Sequence, residues 1–123
     1  MISVCIATYN GEKYLKAEIE SILTQLNRED EIIVSDDGST DATLDILHGF
    51  NDPRIKILSH KKEKARYKFD YTTHNFENAL SYAKGDYIFL ADQDDIWMAD
   101  KVNVMLHALR DSEIAISDCF VTD

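Results

Sequence analysis

Ile2-Ser3-Val4-Cys5-Ile6-Ala7, followed at once by Thr8-Tyr9-Asn10-Gly11, is the stretch whose reading decides the fold. A short apolar run rich in β-branched residues, bounded by polar turn formers, predicts a buried strand. Working outward, Leu15, Ile19, Ile22, Leu23 and Leu26 recur at helical spacing with Glu and Lys between them. They predict an amphipathic helix from Lys13 to Gln25. Glu31-Ile32-Ile33-Val34-Ser35 is the next strand, and it breaks off in Asp36-Asp37-Gly38-Ser39-Thr40. Thr40 is the expected N-cap of a helix to Leu47, with Gly49 as its stop.

The alternation continues to the end of the chain. Ile55-Lys56-Ile57-Leu58 predicts a third strand, and His60 to Tyr71, which has no period, predicts a loop. Phe76, Ala79, Leu80 and Ala83 mark a helix face that Gly85 ends. Tyr87-Ile88-Phe89-Leu90-Ala91, nearly all apolar, reads as a fourth buried strand running into Asp92-Gln93-Asp94-Asp95. Val102, Met105, Leu106 and Leu109 predict a last helix, and Ile114-Ala115-Ile116 a fifth strand.

Apolar strands separated by amphipathic helices imply an α/β fold with a mostly parallel sheet covered by helices on both faces. Right-handed crossovers make a Rossmann-like doubly wound sheet the simplest topology. Ligands of such sheets bind beyond the carboxyl ends of the strands, where strand order reverses. The first strand is therefore expected between the second and the fourth. That order gathers Thr8-Tyr9-Asn10, Asp36-Asp37 and Asp92-Gln93-Asp94 around one crevice.

Composition bounds the chemistry. With 123 residues, one domain is expected. Thirteen basic residues against 23 acidic ones give a formal charge of -10, which repels a phosphate backbone and excludes nucleic acid as the expected partner. No apolar run approaches the roughly 20 residues that cross a bilayer, and no export signal precedes the first strand, so a cytoplasmic location is expected. Cys5 and Cys119 lie in apolar runs without metal-ligand spacing and read as buried small hydrophobes. Five of the 13 basic residues fall between His60 and Lys68, as a solvated loop or a cover for an anionic ligand.

Two unit charges about 5 Å apart repel by roughly 3 kcal/mol at an effective dielectric of 20. Solvent exposure, a shared proton or a bound cation relieves that repulsion. Asp92 and Asp94, one residue apart at a strand end, can reach a single ion. Oxygen donors without His or Cys favour Mg²⁺ or Mn²⁺. A solvated acidic turn is the competing reading. Asp36-Asp37-Gly38-Ser39-Thr40 is likewise either turn chemistry or a nucleotide contact. Trp97 and Tyr9 flank the acidic groups, where core packing or base stacking explains each. No glycine-rich phosphate loop follows the first strand, so NAD and P-loop chemistry have no support.

Three segments together, Ile2 to Gly11, Ile33 to Asp41 and Ala83 to Asp95, resemble in order and spacing the family 2 inverting glycosyltransferases. The form Asp92-Gln93-Asp94-Asp95-Ile96-Trp97, preceded by Asn75-Phe76, is similar to the rhamnosyltransferase-like members that build bacterial surface polysaccharides. The resemblance covers essentially the whole chain and implies a GT-A fold, a nucleotide-diphospho-sugar donor of UDP or dTDP type, and a saccharide acceptor. It implies that Thr8 and Tyr9 contact the nucleoside, with Asn10 and Gln93 in the same donor set, and that Asp37 hydrogen-bonds the base. Asp92 would lie near the ribose and diphosphate and share with Asp94 an Mg²⁺ or Mn²⁺ ion.

The family's general base lies in a second, acceptor-binding half, expected beyond Asp123. The chain thus reads as a donor-binding half, with self-association through an open sheet edge and peripheral attachment to the inner membrane face as further expectations. Two rival readings use the same residues. One is a noncatalytic sugar-nucleotide binding module. The other is a haloacid-dehalogenase-like phosphatase, with Asp92 as nucleophile and Asp94 as acid/base.

Overall fold

The computed structural model describes residues 1–60 and 67–117, with the side chains of Lys68 and Phe69 left aside. Strands β1 (Ile2–Thr8), β2 (Glu31–Asp36), β3 (Ile55–Ser59) and β4 (Tyr87–Asp92) alternate with helices α1 (Leu15–Leu23), α2 (Thr43–Gly49), α3 (Lys68–Leu80) and α4 (Lys101–Ala108). The four strands form one parallel sheet in the order β3-β2-β1-β4. β1 is central, flanked by β2 and β4, as the sequence predicts.

Period-two alternation along β1 assigns its two faces. Ile2, Val4 and Ile6 join Ile32, Val34, Phe89 and Ala91 under Leu15, Ile19 and Ile22 of α1, Leu47 of α2 and Val102 of α4. Burying each such Ile or Leu contributes about 1.5–3 kcal/mol, so this face holds most of the core. On the opposite face Cys5 and Ile33 pack beneath Ala79 and Leu80 of α3. Cys5 is buried and unbridged, while Cys119 lies outside the described residues.

Four expectations are corrected. The aperiodic segment assigned to a loop contains the start of α3 at Lys68, where the Asp70 carboxylate accepts the Tyr67 N–H at 3.2 Å and closes the first turn. A local cap thus starts a helix whose first two turns have no apolar period. α2 starts at Thr43, not beyond a Thr40 cap, because the Asp41 carboxylate takes both the Thr43 N–H at 2.9 Å and its hydroxyl at 2.5 Å. β4 is not buried throughout. Ile88 and Leu90 are 47% and 57% exposed, on the face where α3 packs chiefly against β1 and β2. Finally, Ile114-Ala115-Ile116 forms no strand, with Ile114 78% and Ile116 92% exposed. With both isoleucines facing solvent, the run buries too little apolar surface to be held against the sheet.

Candidate functional site

The carboxyl ends of β1, β2 and β4 meet, and named hydrogen bonds hold them together. At the tip of β1 the Thr8 hydroxyl donates to Asp36 Oδ1 at 2.7 Å. The Thr8 carbonyl accepts the Asp37 N–H at 3.0 Å and Asn75 Nδ2 of α3 at 3.3 Å. Asp36 also accepts the N–H groups of Gly38 (3.1 Å) and Ser39 (2.9 Å) and the Ser39 hydroxyl (2.6 Å). That turn requires φ of +79° at residue 38, which glycine adopts without strain. Asp36 is therefore fully committed to the turn.

The loop after β2 is then fastened to the loop after β1. Asn10 donates its N–H to Ser39 Oγ at 2.9 Å and accepts the Thr40 N–H on its side-chain oxygen at 2.8 Å. Gly11 donates to Thr43 Oγ1 at 2.9 Å. Between β1 and β4 the link is Gln93, whose amide accepts the Tyr9 N–H at 2.9 Å and donates to the Tyr9 carbonyl at 3.1 Å.

Asp92, Asp94 and Asp95 form the exposed rim beside this link. Burial, then the charges of Asp95 and Asp94, raise the Asp92 carboxyl above the ordinary Asp range. The segment that follows is anchored to α1. Ser21 Oγ accepts the Trp97 N–H at 3.0 Å, and Gln25 bridges the Met98 carbonyl (2.8 Å) and the Val102 N–H (2.9 Å). Trp97 is a core residue, 5% exposed and tilted against Phe89 with ring centres 5.6 Å apart. Packing, not stacking on a base, accounts for it. Beneath the rim Glu18 of α1 is fully buried, and among the described residues neither of its carboxyl oxygens has a hydrogen-bond partner.

Asp37 differs from its neighbour. Its carboxylate is almost buried and bonds through Oδ1 to Nδ1 of His60, the residue just past β3. Sequence reasoning left Glu18, Ser21 and Gln25 without roles and read His60 only as the start of a basic, aperiodic loop. For His60 the signal lies in register, since pairing Asp36 with Ser59 sets residue 60 beside Asp37. Of the seven residues expected in the site, the fold brings all together at one sheet edge. Thr8 lies buried behind it, and Asn10 and Gln93 are engaged in holding the loops.

The description "Glycosyl transferase family 2" matches residues 3–122. The chain belongs to that family. Among its relatives, the Escherichia coli UDP-Glc:alpha-D-GlcNAc-diphosphoundecaprenol beta-1,3-glucosyltransferase WfaP is 33% identical over 95% of this chain and 44% of its own length. The Shigella flexneri dTDP-rhamnosyl transferase RfbG is 35% identical over 85% of this chain and 36% of its own. This family 2 chain thus spans less than half the length of these relatives.

Its fold matches the S. aureus TarS 1–349 crystal structure with TM-score 0.75 and 26% identity, over 91% of this chain and 33% of that one. The Pyrobaculum calidifontis mannosyltransferase PcManGT, solved with GDP-Man and Mn²⁺, matches with TM-score 0.76 over 90% of this chain and 32% of that one. At 24% identity that likeness speaks for the fold alone. The fold class is GT-A. Family membership also displaces the phosphatase reading of Asp92 and Asp94.

The donor chemistry of the rim fits a divalent cation. Asp92 and Asp94 offer oxygen ligands only, and their mutual repulsion is the energy a cation would relieve. Among the described residues no three His, Cys, Asp or Glu side chains converge closely enough to hold an ion alone. Two carboxylates leave positions open for phosphate oxygens. No helix among the described residues is long and apolar enough to cross a membrane.

Proposed function

We propose that this chain is the donor-binding half of a family 2 glycosyltransferase that takes a sugar from a UDP- or dTDP-linked donor and passes it, with inversion, to a saccharide acceptor. The observation that carries this reading is the convergence of Asp37, Asp92 and Asp94 at one edge of the sheet in a family 2 chain. The names of its relatives, a UDP-Glc glucosyltransferase and a dTDP-rhamnosyl transferase, support the donor class.

Each part of the site has a chemical task. Asp37 accepts a hydrogen bond from the base. Tyr9, held at both backbone groups by Gln93, contacts the nucleoside, and Thr8 and Asn10 keep the loops beneath it in place. Asp92 and Asp94 are the residues that would hold Mg²⁺ or Mn²⁺ for a diphosphate. When bound, that ion supplies positive charge against the charge that grows on the departing diphosphate. The general base that deprotonates the acceptor hydroxyl belongs to the part of the relatives that this chain does not span.

Calorimetry with UDP, dTDP and GDP, each with and without Mn²⁺, tests the reading. Binding of UDP or dTDP that requires Mn²⁺ supports it, and binding of GDP alone counts against the donor class. No binding of any of them, with metal in excess, refutes it.

A further inference from the structure

We propose that His60 is a positioning residue for base selection: its imidazole holds the Asp37 carboxylate so that one oxygen stays available to accept an imide N–H of a uracil- or thymine-type ring. The inference rests on the donor-binding reading of the site and extends it to a residue and a selectivity.

The placement of His60 follows from the sheet. β3 runs parallel to β2 with Ser59 opposite Asp36, so the next residue of each strand is also adjacent. The His60 N–H donates to the Asp36 carbonyl at 2.8 Å, which carries the ladder one step past the strand and fixes the His60 backbone. Its ring then meets Asp37 through Nδ1 and Oδ1. On the other side the Asp37 N–H donates to the Thr8 carbonyl at 3.0 Å. The residue is thus gripped through its backbone by β1 and through its side chain by β3.

The grip has a consequence for recognition. A carboxylate that turns freely about its last side-chain bond presents either oxygen in any direction. With Oδ1 engaged by the ring, the acceptor left is Oδ2, and no further hydrogen bond is made to it among the described residues. A carboxylate only accepts. Uracil and thymine carry an N–H at ring position 3, whereas cytosine has a bare lone pair there, which an oriented carboxylate repels. A site built to pair with an N–H discriminates strongly against an analogue lacking it, because its polar group is left unmatched. Without the imidazole the carboxylate turns aside, and discrimination falls with it.

The test compares UDP with CDP, two rings of nearly equal size, in excess Mn²⁺ by calorimetry. The wild-type chain is expected to bind UDP at least tenfold more tightly than CDP. His60→Ala should shrink that ratio to threefold or less. His60→Asn, whose amide nitrogen reaches the place of Nδ1, should restore it. The ratio is the informative readout, since a merely structural loss weakens both nucleotides alike. A His60→Ala ratio equal to wild type overturns the inference and leaves the donor site standing, as does a wild-type protein that binds both nucleotides equally. Failure of the wild type to bind either nucleotide removes the donor reading and this inference together.

Discussion

Gln93 holds Tyr9 by both of its backbone polar groups, accepting its N–H at 2.9 Å and donating to its carbonyl at 3.1 Å. A side-chain amide is the group suited to this task, because it carries a donor and an acceptor side by side. The residue between the two aspartates of the rim therefore joins the acidic turn to the tip of the central strand.

Loss of that link should loosen the site more than the fold. Gln93→Ala removes two hydrogen bonds near the surface, each contributing on the order of 1 kcal/mol. Urea unfolding should show a loss of about 1–2 kcal/mol, with Mn²⁺-dependent UDP affinity falling several-fold. Gly11→Ala offers an independent route, since an added Cβ would stand 2.8 Å from Gln93 Cδ and push the amide away. Both variants should weaken UDP in the same direction. An unchanged affinity in both would detach the link from function.

The arrangement of strands was readable because apolar runs such as Ile2–Ala7 and Ile32–Val34 have one stable solution when amphipathic helices separate them. Gly38 and the polar tips marked where each run ends. The individual roles were not readable. Asp36 and Asp37 are adjacent and chemically identical, and only the three-dimensional turn commits Asp36 to four donors while Asp37 faces His60. Glu18 reads as one more helix carboxylate, and its burial beneath the rim depends on how α1 lies on the sheet. The start of α3 was hidden because an Asp70 cap, not an apolar period, sets it.

That division between neighbouring aspartates is measurable. Asp36→Ala leaves the Thr8 and Ser39 hydroxyls and two backbone N–H groups without their acceptor. It should cost about 2–4 kcal/mol of stability by chemical denaturation. Asp37→Asn keeps the size of the side chain and should change stability by about 1 kcal/mol or less, while UDP affinity falls at least tenfold. The reverse pattern, a stable Asp36→Ala protein that binds poorly and an unstable Asp37→Asn protein, would exchange the two roles.

Asp94 should separate metal from fold in the same manner. Asp94→Ala removes one charge from a rim where Asp94 and Asp95 already push up the Asp92 carboxyl. In chelator, the variant should be as stable as wild type or slightly more so. In Mn²⁺ and UDP, ligand binding stabilises the wild type by mass action. That gain should disappear in the variant, with nucleotide affinity lowered at least tenfold. Equal stabilisation of both proteins by Mn²⁺ and UDP would remove Asp94 from the cation site.

Glu18 makes stability depend on pH in a way that can be signed beforehand. Burial first, then the charges of Asp95, Asp94 and Asp92, push its carboxyl up to about 9, with Lys101 pulling weakly the other way. In the unfolded chain the same group titrates in the ordinary carboxylate range. Between those limits the folded protein holds one proton more than the unfolded chain, so its stability falls as pH rises. The contribution is fully present below the unfolded pKa and is lost as pH climbs through the folded one, at a slope of up to about 1.4 kcal/mol per pH unit. Glu18→Gln imitates the neutral acid and has no proton to lose. The two proteins should be nearly equally stable at pH 4, and the variant should be the more stable at pH 8, the gap widening between. Denaturation midpoints across that range measure the gap directly. Curves that run parallel from pH 4 to pH 8 would show that Glu18 holds no extra proton in the folded state.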